Sequence, residues 1–499
     1  MTLISPISPY IISTPFVSIA TYTIEQRCVL DFTELLWFYY IFKGHPLMNE
    51  QSYIAPKLLL YCNPFIYEWC MMNKKEKQEE YLMKKNRMPQ SIGLLLSICL
   101  VLSFAGCKKA VSAEGGNLLD DLKKETVEKS SSFTKESTMP ALTFSFNLFT
   151  KNLLCENTLI SPLSVLTSLG MTANGAKSDT LSQMEEVFGM DRQSLNQLLY
   201  FYTSKLPQKD KLKVHMANSI WFRDGDRFQI RPEFLQTTIN YCDAGIYRSP
   251  FDDSTVKDIN SWVRERTDGQ IPEILNEISS DTVMYLINAL SFDAEWETIY
   301  KENEVRQESF HADDGTLQNA DMMYSQEQLY LEDGDAKGFI KKYADGNYAF
   351  AAILPPEDLH LSAYLSDLTP DKLREILENP IETSVQTMMP KFTTEYSVEM
   401  SDILKSMGME HAFDEDLADL SGLGSAGGNL YINRVLHKAK IEVHERGTKA
   451  GAATAVEINE KSAAIDPPKT VFLDRPFFYI VFDTESYLPL FLGTTLYVK

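Results

Sequence analysis

The chain has 499 residues, 44% of them hydrophobic and 11% aromatic, with 69 Asp and Glu against 47 Lys and Arg, a formal net charge of −22. Such an apolar content belongs to a folded protein and excludes a disordered one, and the length allows one large domain with appendages or two to three ordinary ones. Residues 108–499 carry 61 acidic and 38 basic side chains, so the body lacks the basic footprint of a nucleic-acid binder; its charge favours solubility and basic partners.

Residues 1–82 are rich in aromatics (Trp37, Phe38, Tyr39, Tyr40, Trp69) without any period. Met83-Lys-Lys-Asn-Arg87 then forms a basic stretch ahead of an apolar run from Ile92 to Ala105, the layout of an export signal. That run is shorter than the roughly 20 residues a membrane span needs. It ends Phe104-Ala-Gly-Cys107, which resembles a bacterial lipobox whose cysteine becomes the lipidated first residue. The expectation is an upstream extension (1–82) outside the mature protein, with translation starting at Met83 or Met72. Residues 83–107 would be a lipoprotein signal, and the mature chain would be anchored through Cys107 to the bacterial cell envelope, at its surface or periplasmic face. Lys108-Lys109 favours the periplasmic side.

Residues 108–138 read as a polar tether. Beyond it only Cys155 and Cys242 remain, 87 residues apart, which gives neither a disulfide scaffold nor metal-ligand spacing. No metal or cofactor is expected. From Met139 the pattern is dense. Ala141–Phe149 starts a helix, and Ser161-Pro162 precedes another, with proline in a tolerated first-turn position. Val256–Val263 reads as a third helix. Strand-like runs cover 214–222, 283–292, 348–354, 384–392, 430–443, 470–482 and 488–498. With no linker and no repeat between 139 and 499, this is one α+β domain with large, mostly antiparallel sheets.

Gly422-Leu-Gly-Ser-Ala-Gly427 fits a phosphate-loop spacing but follows an acidic stretch instead of a strand, so it reads as a surface turn. No nucleophile elbow, zinc-helix or C-x-x-C motif is present, and the seven histidines are scattered. An enzyme is not expected. The most informative segment is Glu445–Thr454, whose core from Gly447 to Thr454 is built almost wholly of Gly, Ala and Thr. It has too little apolar surface to belong to a core, and no bulk that would stop it sliding between two strands.

Val471-Phe-Leu-Asp-Arg-Pro-Phe-Phe-Tyr-Ile-Val481 resembles the C-terminal signature of the serpins, the serine protease inhibitor superfamily. Asn157-Thr-Leu-Ile-Ser-Pro-Leu-Ser164, Ala217–Phe222, Ile259–Val263 with Thr267–Ile271, Ile287–Phe292 with Trp296, Met389–Phe392, Leu404–Gly408 and Val435–Ala439 follow in the family's order. The resemblance covers nearly all of 139–499. It implies three β-sheets, eight or nine helices and an exposed reactive-centre loop. It also implies irreversible suicide-substrate inhibition of serine, and possibly cysteine, endopeptidases: the cleaved loop inserts into the main sheet and traps the acyl-enzyme. The alternative is a non-inhibitory serpin-fold binding protein or protease substrate.

Residue by residue, Glu445, Gly447, Thr448, Ala450, Gly451, Ala452, Ala453 and Thr454 match the hinge. Thr448, Ala450, Ala452 and Thr454 share one strand face, and Lys449 faces away from them. Lys449 and Arg446 stand where the family usually has acids. Ser161, Ser164, Asn288 and His437 match the polar shutter beneath the opening, and Trp296 the breach above it. Family spacing puts the reactive bond at Lys461–Ser462, which suits trypsin-like proteases; a longer following segment leaves Ala463, Ala464 or Ile465 open, which would suit elastase- or subtilisin-like ones. A monomer is expected.

Overall fold

The computed structural model describes residues 116–127 and 133–498, except 210, 226–227, 280–281, 427 and 449–467. In chain order, helix α1 (Lys135–Lys151) is followed by strand β1 (Leu159–Ile160) and by α2 (Pro162–Ala173), α3 (Ser178–Phe188) and α4 (Arg192–Thr203). Strands β2 (Gln208–Lys209), β3 (Leu212–Arg223) and β4 (Gln229–Ile230) lead to α5 (Pro232–Tyr241), β5 (Gly245–Ser249), α6 (Asp253–Arg266) and β6 (Met284–Glu295). Next come β7 (Val305–His311), β8 (Leu317–Asp333), β9 (Ala336–Lys342), β10 (Tyr348–Leu354), α7 (Leu361–Asp367) and α8 (Pro370–Glu378). Strands β11 (Ile381–Pro390) and β12 (Phe392–Glu399), helix α9 (Ser401–Ser406), and strands β13 (Gly424–Ser425), β14 (Arg434–His444) and β15 (Gly447–Thr448) follow. The chain closes with β16 (Lys469–Phe472), β17 (Phe477–Asp483) and β18 (Pro489–Thr495).

Among the described residues these nine helices accompany three sheets, the architecture expected from the sequence. The first sheet has seven strands in the order β12-β14-β15-β6-β3-β2, with β5 on β3. The second has nine, β1-β18-β17-β10-β9-β8-β11-β16, with β7 on β8. Strand β8 is long enough to serve three neighbours: Leu317–Met323 pair with β7, Met322–Tyr330 with β11 and Leu329–Asp333 with β9. The pair β4–β13 forms the third sheet.

Helix α2 packs on β3 and β6 of the first sheet and on β18 of the second. Every one of its residues is buried, as befits a helix covered on all sides. Three of its hydroxyls are satisfied within the helix, Thr167 donating to Leu163 O at 2.7 Å, Ser168 to Val165 O at 3.0 Å and Thr172 to Ser168 O at 3.1 Å. On the outer face of the first sheet, α6 lays Ile259 and Val263 against Trp221, Tyr285 and Ile287. Its start is fixed by a capping box between Asp252 and Thr255.

The structure departs from the sequence reading at several places. The run 470–482 is two strands, because the chain turns at Leu473–Pro476, where proline offers no donor. The run 384–392 breaks at Lys391, which separates strands of different sheets. Strands β7, β8 and β9 gave no strand-like run, since β7 and much of β8 carry polar, exposed side chains. Helix α1 starts at Lys135, inside the stretch read as tether, and Leu119 further upstream is buried. Leu118 N–H donates to Ile246 O, and Asn117 Oδ1 accepts from Ile246 N–H. Gly422 is not a free turn: a Cβ there would lie 2.6 Å from Gly175 O. The leader and Cys107 lie outside the described residues.

Asn157 ties the two ends of the domain together. Its Nδ2 donates to Tyr497 O at 2.7 Å, and its Oδ1 accepts from Leu496 N–H at 2.7 Å and Tyr497 N–H at 3.0 Å. Asn157→Ala strands three main-chain groups and is expected to cost about 2–3 kcal/mol. A thermal midpoint equal to that of the parent, at one scan rate, would contradict this.

Candidate strand-insertion site

Strands β6 and β14 run in the same direction and pair directly from Arg434↔Tyr285 to Lys440↔Ser291. Above Ser291 they part. The chain leaves β14, turns at Glu445–Arg446 and re-enters as β15 between them. Thr448 opposes Val443 on one side and Ala294 on the other; Gly447 opposes His444 and Glu295. Two hinge residues are thus already docked as a strand antiparallel to both neighbours. Gly447 has φ +156°, and a Cβ on it would stand 1.9 Å from the Ala294 carbonyl oxygen. Only glycine fits that close approach.

The hinge rests on an aromatic shelf. Trp296 N–H donates to Arg446 O and Tyr300 N–H to Glu445 O, both at 2.9 Å. The Trp296 indole N–H donates to His444 O at 2.9 Å. Its ring stacks on Tyr343 at 4.5 Å, and the Tyr343 hydroxyl lies 2.7 Å from the hydroxyl of Thr448, both groups buried. Ion pairs flank the turn: Glu445 with Lys391, which also reaches Asp321 at 3.3 Å, and Arg446 with Glu295 at 3.7 Å. Burial works to raise the Glu445 carboxyl, but Lys391 outweighs it and holds it below its ordinary value.

Below the fork lies the polar cluster. His437 Nδ1 is 2.6 Å from Asn288 Oδ1, and Nε2 accepts from Ser161 N–H at 3.1 Å. This fits the neutral tautomer with its proton on Nδ1. Burial pushes His437 down to about 3. Ser164 Oγ is 3.0 Å from Asn218 Oδ1, and Asn218 is the register partner of Asn288. His437 and Asn288 are themselves register partners across the β6–β14 seam, so their side-chain bond spans the two strands that would have to separate.

The structure therefore brings together Ser161, Ser164, Asn288 and His437 in one cluster, and Trp296, Glu445, Gly447 and Thr448 in another. Ala450, Gly451, Ala452, Ala453, Thr454, Lys461 and Ser462 lie outside the described residues; the chain resumes at Pro468, and β16 pairs with β11. Sequence reasoning did not single out Asn218, Tyr300, Tyr343, Lys391 or Glu295. Each acts through a partner far along the chain, and of the five only Asn218 and Lys391 fall within quoted motifs.

A family model described as serpin (serine protease inhibitor) matches residues 141–498. The chain belongs to the serpin family. A crystal structure of a thermophilic serpin, tengpin, in the native state superposes with a TM-score of 0.73 at 44% identity, over 77% of this chain and all of that one. An uncharacterized serpin-like protein of Thermococcus kodakarensis is 31% identical over 69% of this chain and 81% of its own length. A leukocyte elastase inhibitor of Xenopus tropicalis is 30% identical over 62% of this chain and 87% of its own. Strands β6 and β14 flank the fork, and β15 sits at its mouth.

Two outcomes follow from the geometry. Gly447→Ala should undock the hinge, and Thr448 N–H should then exchange with solvent faster; retained protection would contradict the contact with Ala294. His437 titrates near 6.5 in the unfolded chain and at about 3 here, so the unfolded state binds the proton first. Stability from this group is full above about pH 6.5 and falls on acidification by up to about 1.4 kcal/mol per pH unit. The gap in unfolding midpoint between the parent and His437→Gln should narrow from pH 7 to pH 4.5. A gap independent of pH would show that His437 is not buried neutral.

Proposed function

We propose that this serpin is an irreversible suicide-substrate inhibitor of serine endopeptidases, with papain-like cysteine proteases as further targets. The observation that carries the reading is the docked hinge: Gly447 and Thr448 already pair on both sides between β14 and β6. The protease serine Oγ attacks the carbonyl carbon of Lys461, the bond to the Ser462 nitrogen breaks, and that nitrogen leaves as a protonated amine. The acyl-enzyme ester then tethers the protease to the freed loop. Residues after Thr448 continue β15 downward and drag the protease with them before water can reach the ester. Small residues from Ala450 to Thr454 let this outrun deacylation. Lys461 directs the loop to trypsin-like enzymes, whose specificity pocket carries a carboxylate; a bond at Ala463 to Ile465 would direct it to elastase- or subtilisin-like ones.

The chain acts as a monomer, held at the bacterial envelope by a lipid on Cys107. Radiolabelled fatty acid should enter the parent and not Cys107→Ser. Label retained in that variant would refute the anchor.

Incubation with trypsin and with elastase, followed by denaturing electrophoresis, should give a complex of summed mass. Cleaved chain alone with these and other serine proteases would leave the non-inhibitory alternative standing. Thr448 is buried where it docks, so Thr448→Arg has no room in the sheet. That variant should be cleaved at the parent rate while complex yield falls at least about tenfold, as expected when a charge must enter a core. Undiminished yield would sink the insertion mechanism.

A further inference from the structure

A buried ammonium lies directly beneath the hinge. Lys341, near the end of β9, is 1% exposed, and its Nζ is 2.7 Å from Glu327 Oε1 on β8. The same nitrogen lies 4.4 Å over the ring of Tyr300 and 5.6 Å over that of Trp296, within reach of the attraction between a cation and an aromatic face. Those two residues provide the N–H groups that hold Arg446 O and Glu445 O. Glu327 Oε1 also accepts from the Ser325 hydroxyl at 2.6 Å, and Ser325 Oγ is 2.8 Å from Thr387 Oγ1 on β11. Thr387 is the register partner of Val471 in β16, where the chain returns after the reactive loop. One partly buried polar seam therefore runs from Lys341 beneath the turn at Glu445–Arg446 to β11 beside β16.

An ammonium is costly to bury and stays charged only when its partners are close and well oriented. Methionine would fill this volume at far lower desolvation cost, so stability alone gives no reason for a lysine here. We infer that Lys341 is a positioning residue for loop insertion: by gripping both rings and Glu327, it sets the Trp296–Tyr300 shelf at the height where the hinge main chain meets β6 and β14. The inference rests on the inhibitory reading above for its consequence, and on the hinge contacts alone for its geometry.

The test uses the full chain as Lys341→Met and as Lys341→Met/Glu327→Leu, the second removing the carboxylate that the first leaves unpaired. Amide exchange at Trp296 and Tyr300 is measured without protease, with β17 amides as reference, and the stoichiometry of inhibition is measured with trypsin. In both variants the two shelf amides should exchange about tenfold faster relative to β17, the scale of one buried cation–aromatic contact. Stoichiometry should rise several-fold as more loops are cleaved without being trapped, while the double variant regains the parent's thermal midpoint. Parent-like shelf exchange in Lys341→Met overturns the inference. So does a double variant that recovers both exchange and stoichiometry, because Lys341 would then only be neutralising Glu327. If Lys341→Met fails to fold, the double variant decides alone. If the parent traps no protease at all, the inhibitory reading fails, while the exchange result still judges the shelf.

Discussion

Everything in this molecule turns on two strands that run the same way and touch for only part of their length. The β6–β14 ladder is parallel, a pairing slightly less stable per residue than the antiparallel one. A segment folding back from β14 runs antiparallel to both, and β15 has begun to do so. Each residue that follows would exchange part of one parallel ladder for two antiparallel ones and bury a side chain. On the proposed mechanism the arrangement seen here lies above a more stable one and persists because separating the strands is slow.

The slow step has an identifiable location. Opening the seam breaks the His437–Asn288 bond, both of whose members are fully buried, and leaves polar groups to find new partners in a region of low dielectric. Helix α2 covers this point from beneath, with Ser161 at its N-terminus donating its N–H to the same imidazole. On the proposed mechanism two functions are separate: the His437–Asn288 cluster would resist opening, and the small residues that follow Gly447 in the sequence would set how readily the gap is filled.

Much of this was legible in the sequence, for stated physical reasons. Helix α2 announced itself through Ser161-Pro162, and β3, β6 and β10 through apolar runs of the right length. The stretch after Glu445 stood out by its small residues, yet Gly447 and Thr448 are buried in the sheet, because the strands on both sides supply the cover that their own surface lacks. What escaped was whatever depended on distant partners. Strands β7 and β8 have mixed, largely exposed faces, and β9 is a short run whose lysines interrupt its buried residues. Tyr343 and Tyr300 carry no local signal, and Lys391 sits in the quoted Met389–Phe392 segment without its partner being readable there, since each is defined by what it meets about 50 to 150 residues later. The upstream segment near Asn117 looked like solvated tether because its hydrogen bonds go to β5, and only Leu119 contributes a fully buried side chain.

The basic residue at Arg446 finds its reason in Glu295. That carboxylate is 9% exposed at the top of β6, bonded to Lys211 at 2.5 Å and 3.7 Å from Arg446. An acid at 446 would face it across the fork and push the turn away from the sheet, because like charges in a half-buried site repel strongly. Arginine instead draws the turn inward, over the position where Gly447 must pass within contact distance of Ala294 O. Arg446 is about one-third exposed, so the pair adds little to global stability. Its effect is local and directional: it biases the turn toward the docked pose of β15, from which the proposed insertion would continue.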